Sequence, residues 1–181
     1  MLRISIPETE FWDDSKQEFV YFKEQKLQLE HSLVSLSKWE SKWHKPFFTK
    51  DKKTIEETID YIKCMTLTQN IDSEVYKRLT NENIQQVNSY IEDSMTATWF
   101  SEYAKKRKIS SEQVTSELIY YWMVALNIPF ECQKWHLNRL FTLIRVCEVK
   151  NQPSRKMSQK EILNRNRALN ASRRKRLNSK G

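Results

Sequence analysis

KLQLEHSLVSLSKWESKWH, Lys26 to His44, is the stretch in which the hydrophobic period of the chain changes. Lys26-Leu27-Gln28-Leu29-Glu30 alternates polar and apolar side chains, the pattern of a strand with one buried face. From Ser32 the spacing becomes three and four, so Leu33, Leu36, Trp39, Glu40 and Trp43 share one side of a short amphipathic helix that Pro46 stops. Upstream, LRISI (Leu2 to Ile6) and parts of Glu18 to Glu30 also alternate and read as short strands. Downstream the period is helical almost throughout. The expectation is an α+β fold, predominantly α-helical: a small N-terminal β element within about the first 31 residues, then a helical bundle and a basic C-terminal arm.

Within the helical part, Thr54 with Glu57 forms a capping-box signature, and Ile55, Ile59, Ile62 and Met65 then fall on one face of a helix reaching about Leu67. Asp72 to Leu79 reads as a short helix. A further helix starting near Thr80 carries Ile84, Val87 and Ile91 on one side. Ser110 with Gln113 is another capping box, and from Val114 to Leu126 the apolar residues run nearly all round the helix, which places it at the centre of the fold. Asn127-Ile128-Pro129 breaks that helix. Phe130 to Lys150 reads as one long helix with Leu137, Leu140, Phe141, Ile144 and Cys147 inward and Lys134, Asn138, Arg145 and Glu148 outward. Ser158 with Glu161 caps a last, polar helix whose Ile162, Leu169 and Leu177 are too sparse to make a core.

Composition narrows the function classes. The only glycine among 181 residues is Gly181, so the glycine-dependent phosphate cradles, P-loop and GxGxxG, are excluded as motifs, as are Asn-Gly hairpins. Six Trp, seven Tyr and eight Phe give too much large apolar surface for a disordered chain. Three cysteines (Cys64, Cys132, Cys147) without CxxC spacing suggest neither a disulfide framework nor a zinc knuckle and fit a reducing compartment. The start MLRISIPETEFWDD is not that of a signal peptide, and the longest apolar run, Leu118 to Leu126, is far below the roughly 18 to 20 residues of a membrane span. A protein neither secreted nor membrane-spanning is expected.

The net charge of +8 is unevenly spread. From Pro153 onward ten basic residues face a single acid, Glu161, whereas the body is close to neutral. The expected division is a mainly helical body over residues 1–152 and a basic tail over 153–181, partly helical or disordered, with Pro153 at the break. Arg165, Arg167, Arg173, Arg174, Lys175 and Arg176 make the tail a candidate for phosphate contact or for an acidic neighbour, and its polar composition serves plain solubility equally. Any nucleic-acid binding is expected to be weak and non-specific.

No catalytic constellation stands out. Cys132 and His136 lie four apart, but His31, His44, Cys64 and Cys147 lack a paired spacing that would complete a four-ligand zinc site. Two adjacent core side chains are the better reading. Glu56, Glu57 and Asp60 follow helix-surface spacing. No catalytic residue, metal or cofactor is expected. Six Trp exceed what one small helical core readily encloses, and Trp is enriched at binding hot spots. The preferred partner-binding groove is therefore bordered by Trp39 and Trp43, with Lys38, Lys42 and Lys45 as a polar rim, and by the helices around Pro129, where Trp135 lies. The same spacing equally serves a helix packing onto its own core.

The segments LEHSLVSLSKWESKWHKPF (Leu29 to Phe47), YIKCMTLTQN (Tyr61 to Asn70), YIEDSMTATWFSE (Tyr90 to Glu102), SELIYYWMVALNIPFECQKWHLNRLFTLIRVC (Ser116 to Cys147) and ALNASRRKR (Ala168 to Arg176) resemble small tail proteins of long-tailed bacteriophages, of the tail assembly chaperone kind. That resemblance implies a factor in the host cytoplasm, absent from the finished virion. It would hold the long, helical tape measure protein while tail tube subunits polymerise, with the tape measure and tail tube proteins as partners and self-association as a further option. In such phages a ribosomal frameshift often extends the chaperone, and the short basic end here would suit the unextended product. The alternative is a structural virion or packaging-related phage protein whose basic tail contacts DNA or an acidic protein.

Overall fold

The computed structural model describes residues 1–14, 17–100, 113–151 and 159–177, with the backbone alone described at 11, 13, 161 and 175. The fold is α+β and predominantly helical, with its strands at the N-terminus. By contact density the chain forms two compact units, Met1–Glu148 and Val149–Gly181. The break expected at Pro153, the Ser110 cap and the Ser158 cap lie outside the described residues.

Four strands open the first unit: β1 (Leu2–Ile6), β2 (Thr9–Asp13), β3 (Glu18–Phe22) and β4 (Gln25–Leu29). β1 pairs antiparallel with β4, Leu2 opposite Leu29, and β2 pairs antiparallel with β3, Thr9 opposite Phe22. Both ladders keep one register, so β1–β2 and β3–β4 are the arms of one long hairpin. Pro7, which has no N–H to give, stands at the interruption. The base of the hairpin is core: Ile4, Ile6, Leu27 and Leu29 are all buried. The outer edge of β4 is closed by the chain leaving α2, where Glu30 N donates to Met65 O (2.9 Å) and Leu67 N to Gln28 O (2.8 Å). That pairing satisfies backbone groups an edge strand would otherwise leave open. β2 was not foreseen, because Phe11 and Trp12 are adjacent and break the apolar alternation.

Helix α1 (Leu33–Trp43) begins at Ser32, whose side chain accepts from Ser35 N in a capping box, and ends in a left-handed His44. Leu33, Leu36 and Trp39 are buried, each contributing roughly 1.5–3 kcal/mol by leaving water. This helix is the hub of the unit: it packs on α2 (Ile55–Met65), α4 (Ser116–Ala125) and the 3-10 turn Phe130–Lys134. The Thr54–Glu57 capping box starts α2 as expected, with Ile62 and Met65 buried. Ile55 corrects the expected face: at the first helical position it points to solvent, while Tyr61 and the carboxylates Glu57 and Asp60 are buried instead. Asp72 caps a 3-10 turn, Ser73–Arg78, and α3 (Asn81–Glu92) turns Asn83, Val87 and Tyr90 inward against β1.

Two expectations about the C-terminal helices fail. α4 is not central: Ile119 and Met123 are buried, but Tyr121 and Val124 are 65% and 59% exposed. Phe130 to Lys150 is not one helix either. A 3-10 turn, Phe130–Lys134, is followed by extended Trp135, and His136 bridges Ser32 before α5 (Leu137–Asn151) starts. That bridge, with Leu137 N donating to His31 O (2.7 Å), pulls the chain out of helical geometry. α5 then buries Leu137, Leu140 and Ile144. In the second unit, α6 (Gln159–Leu177) is exposed at every residue whose side chain is described.

Candidate functional site

Trp39 and Trp43 stack with ring centroids 6.2 Å apart, as their four-residue spacing on α1 requires. Trp39, however, is 2% exposed and its indole Nε1 donates to Glu57 O (2.9 Å), so it is a core residue and no wall of an open groove. Trp43 is half-buried, its Nε1 donating to Asp60 Oδ2 (3.0 Å). Lys42 pairs with the same Asp60 carboxylate, and Lys45 with Glu57 Oε1 (2.6 Å). Lys42 and Lys45 of the expected polar rim are thus paired with α2 while staying exposed, as Lys38 is. Trp135 is half-buried beneath the Arg139 guanidinium, 4.4 Å from its ring centroid. The site expected around Trp39 is an α1–α2 packing interface. The carboxylates that hold it, Glu57 and Asp60, had the spacing of solvated helix charges.

Glu40 is the polar residue that the α1 stripe conceals. Its buried carboxylate accepts from Phe47 N (2.7 Å) and from Ser116 N (2.7 Å), so it closes the turn after α1 and caps the start of α4. A carboxylate at a helix N-terminus satisfies a free N–H and complements the dipole. The sequence carried a signal for it, an acid within an apolar stripe.

The interior histidines are engaged in hydrogen bonds. His31 Nδ1 shares a 2.6 Å hydrogen bond with the Tyr61 hydroxyl, and its ring stands 5.1 Å from that of His136. Burial, with a lesser contribution from His136, pushes His31 down to about 3. His136 Nε2 donates to Tyr90 O (2.9 Å) while its Nδ1 accepts from Asn138 N (3.3 Å). With both nitrogens engaged, His136 offers no lone pair to a metal or to Cys132. Burial raises the thiols of Cys64 and Cys132, which disfavours the nucleophilic thiolate. Among the described residues no group of three His, Cys, Asp or Glu is placed to hold a metal ion.

Two surfaces bear on function here. The first is the outer face of α4, where Tyr121 and Val124 stand exposed; Phe130, also exposed, lies 6.4 Å from Tyr120 between ring centroids. The second is the basic helix α6, with Arg165, Arg167, Arg173, Arg174 and Arg176 along it; the Lys175 side chain lies outside the described residues. No helix of the described residues is long and apolar enough to cross a membrane. No family model, curated protein or solved structure matches this chain.

Proposed function

We propose that this protein is a non-enzymatic tail assembly chaperone of a long-tailed bacteriophage, acting in the host cytoplasm on the tape measure protein as the tail tube is built. The resemblance of its sequence segments motivates the family. The observation that carries the reading is the outer face of α4, on which Tyr121 and Val124 are left to solvent by a helix whose other side is sealed into the core. An apolar helix face of this kind is what a chaperone offers to the apolar stripe of an amphipathic helix. The groove first expected at Trp39 moves to this face.

Co-expression with the tape measure protein of the same phage tests it. Tyr121→Glu and Val124→Glu should keep a cooperative thermal transition and lose co-purification by tenfold or more; retention of the tape measure by both variants sinks the reading. The exposed arginines of α6 favour a second reading, a virion or packaging protein whose tail contacts DNA. Tight DNA binding that survives high salt would favour it over the first.

A further inference from the structure

The tip of the long hairpin carries a surface that no part of the first unit's core explains. In the β2–β3 ladder Trp12 is opposite Phe19 and Glu10 is opposite Tyr21, so these four side chains share one face. The Trp12 and Phe19 rings meet edge to face at 4.9 Å, and the Tyr21 hydroxyl donates to Glu8 Oε2. Trp12, Phe19 and Tyr21 are 51%, 69% and 52% exposed. Besides each other, β2 and β3 make only sparse contacts with other elements. A two-stranded ribbon with three open aromatics is marginal in water on its own and gains from a cover.

The charge near that face narrows the chemistry of a cover. Glu10 shares the aromatics' face and Glu8 meets Tyr21 there, and the sequence over residues 8–18 holds five carboxylates (Glu8, Glu10, Asp13, Asp14, Glu18) against one lysine. Aromatic faces rimmed by carboxylates suit guanidinium groups, which stack on rings while pairing with acids. The chain itself supplies such groups in α6, where seven basic residues stand against one acid over residues 159–177. Lys160, Arg167 and Arg174 recur every seven residues and fall on one side, while Arg173 and Arg176, three apart, face another. Leu163 and Leu169 are exposed on the same helix and can cover aromatic surface.

We propose that the β2–β3 tip is a docking surface for the arginine-rich α6 helix of a second copy of this chain. The contact joins two different surfaces, so it is heterologous: a pair joined once leaves a free arm on one copy and a free hairpin on the other, and assembly continues into rings or open chains. It uses neither α4 nor a partner protein, and so stands apart from the chaperone reading.

Analytical ultracentrifugation of the full chain tests it. The wild type should grow past dimer with concentration at low salt and dissociate as salt rises, since the pairing charges are exposed. A hairpin variant, Glu10→Lys with Trp12→Ala, and an arm variant, Arg173→Glu with Arg174→Glu and Arg176→Glu, should each be monomeric alone. Mixed, they should form a one-to-one dimer and nothing larger, because the first retains a good arm and the second a good hairpin. A wild type that is monomeric at every concentration, variants that associate like wild type, or a mixture that stays monomeric overturns the proposal. Should the hairpin variant lose its cooperative thermal transition, the arm variant decides alone: monomeric supports the interface, wild-type association overturns it.

Discussion

Trp39 and His31 show how far a side chain's setting governs its role. Trp39 is held by core on its ring face and by Glu57 O at its nitrogen. Trp39→Ala should therefore cost roughly 3–5 kcal/mol, the range for a truncated core aromatic, whereas Trp43→Ala, half-buried, should cost clearly less. Chemical denaturation of the two variants measures both, and equal, small losses would contradict the packing described. His31 makes stability depend on pH. Its unfolded value lies near 6.5 and its folded value at about 3, so below 6.5 the unfolded chain takes up a proton that the folded chain refuses. The contribution is whole above about pH 6.5 and declines by about 1.4 kcal/mol per pH unit toward pH 3. Between pH 6.5 and 5, before most carboxylates titrate, stability should fall with acidification in the wild type and fall less steeply in His31→Gln; identical slopes would show that His31 is not the group responsible.

At the scale of elements, Glu40 joins α1, the turn at Phe47 and the start of α4 through two hydrogen bonds to one carboxylate. Glu40→Ala leaves both N–H groups without this partner in a buried site and should cost about 3 kcal/mol, while Glu40→Gln, which keeps an acceptor, should cost less. Equal losses in the two variants, read by thermal unfolding, would mean that shape and not hydrogen bonding matters there. The elements also show what could be read from the sequence. Thr54 and Glu57 announced α2 because a capping box is a local interaction that two residues three apart complete. The period change after Glu30 located α1 for the same reason. What escaped depends on distant partners. Phe130 to Lys134 had a helical pattern, but the pairing of His136 with Ser32, about a hundred residues away, straightened the chain beyond it. The uniformly apolar α4 gave no period to say which side faces in, and the side left out is now the candidate binding face. At Trp39 and Trp43 the residues were picked out correctly as a pair, yet only the position of α2 shows that they seal an internal interface.

The molecule as a whole divides into a unit with a continuous core, Met1–Glu148, and a basic unit, Val149–Gly181, whose described α6 side chains are all exposed. Removing residues 153–181 should thus leave the cooperative thermal transition in place, shifted by no more than a few degrees; its disappearance would show that the tail completes the core. On the chaperone proposal the protein accompanies the tape measure protein while the tail is built and then leaves. Quantitative proteomics of infected-cell lysate and of purified particles from the same infection tests it most directly. The protein should appear alongside the tape measure protein in the lysate and be absent from the particles; its presence in purified particles at a fixed ratio to the tail tube protein would sink the chaperone proposal.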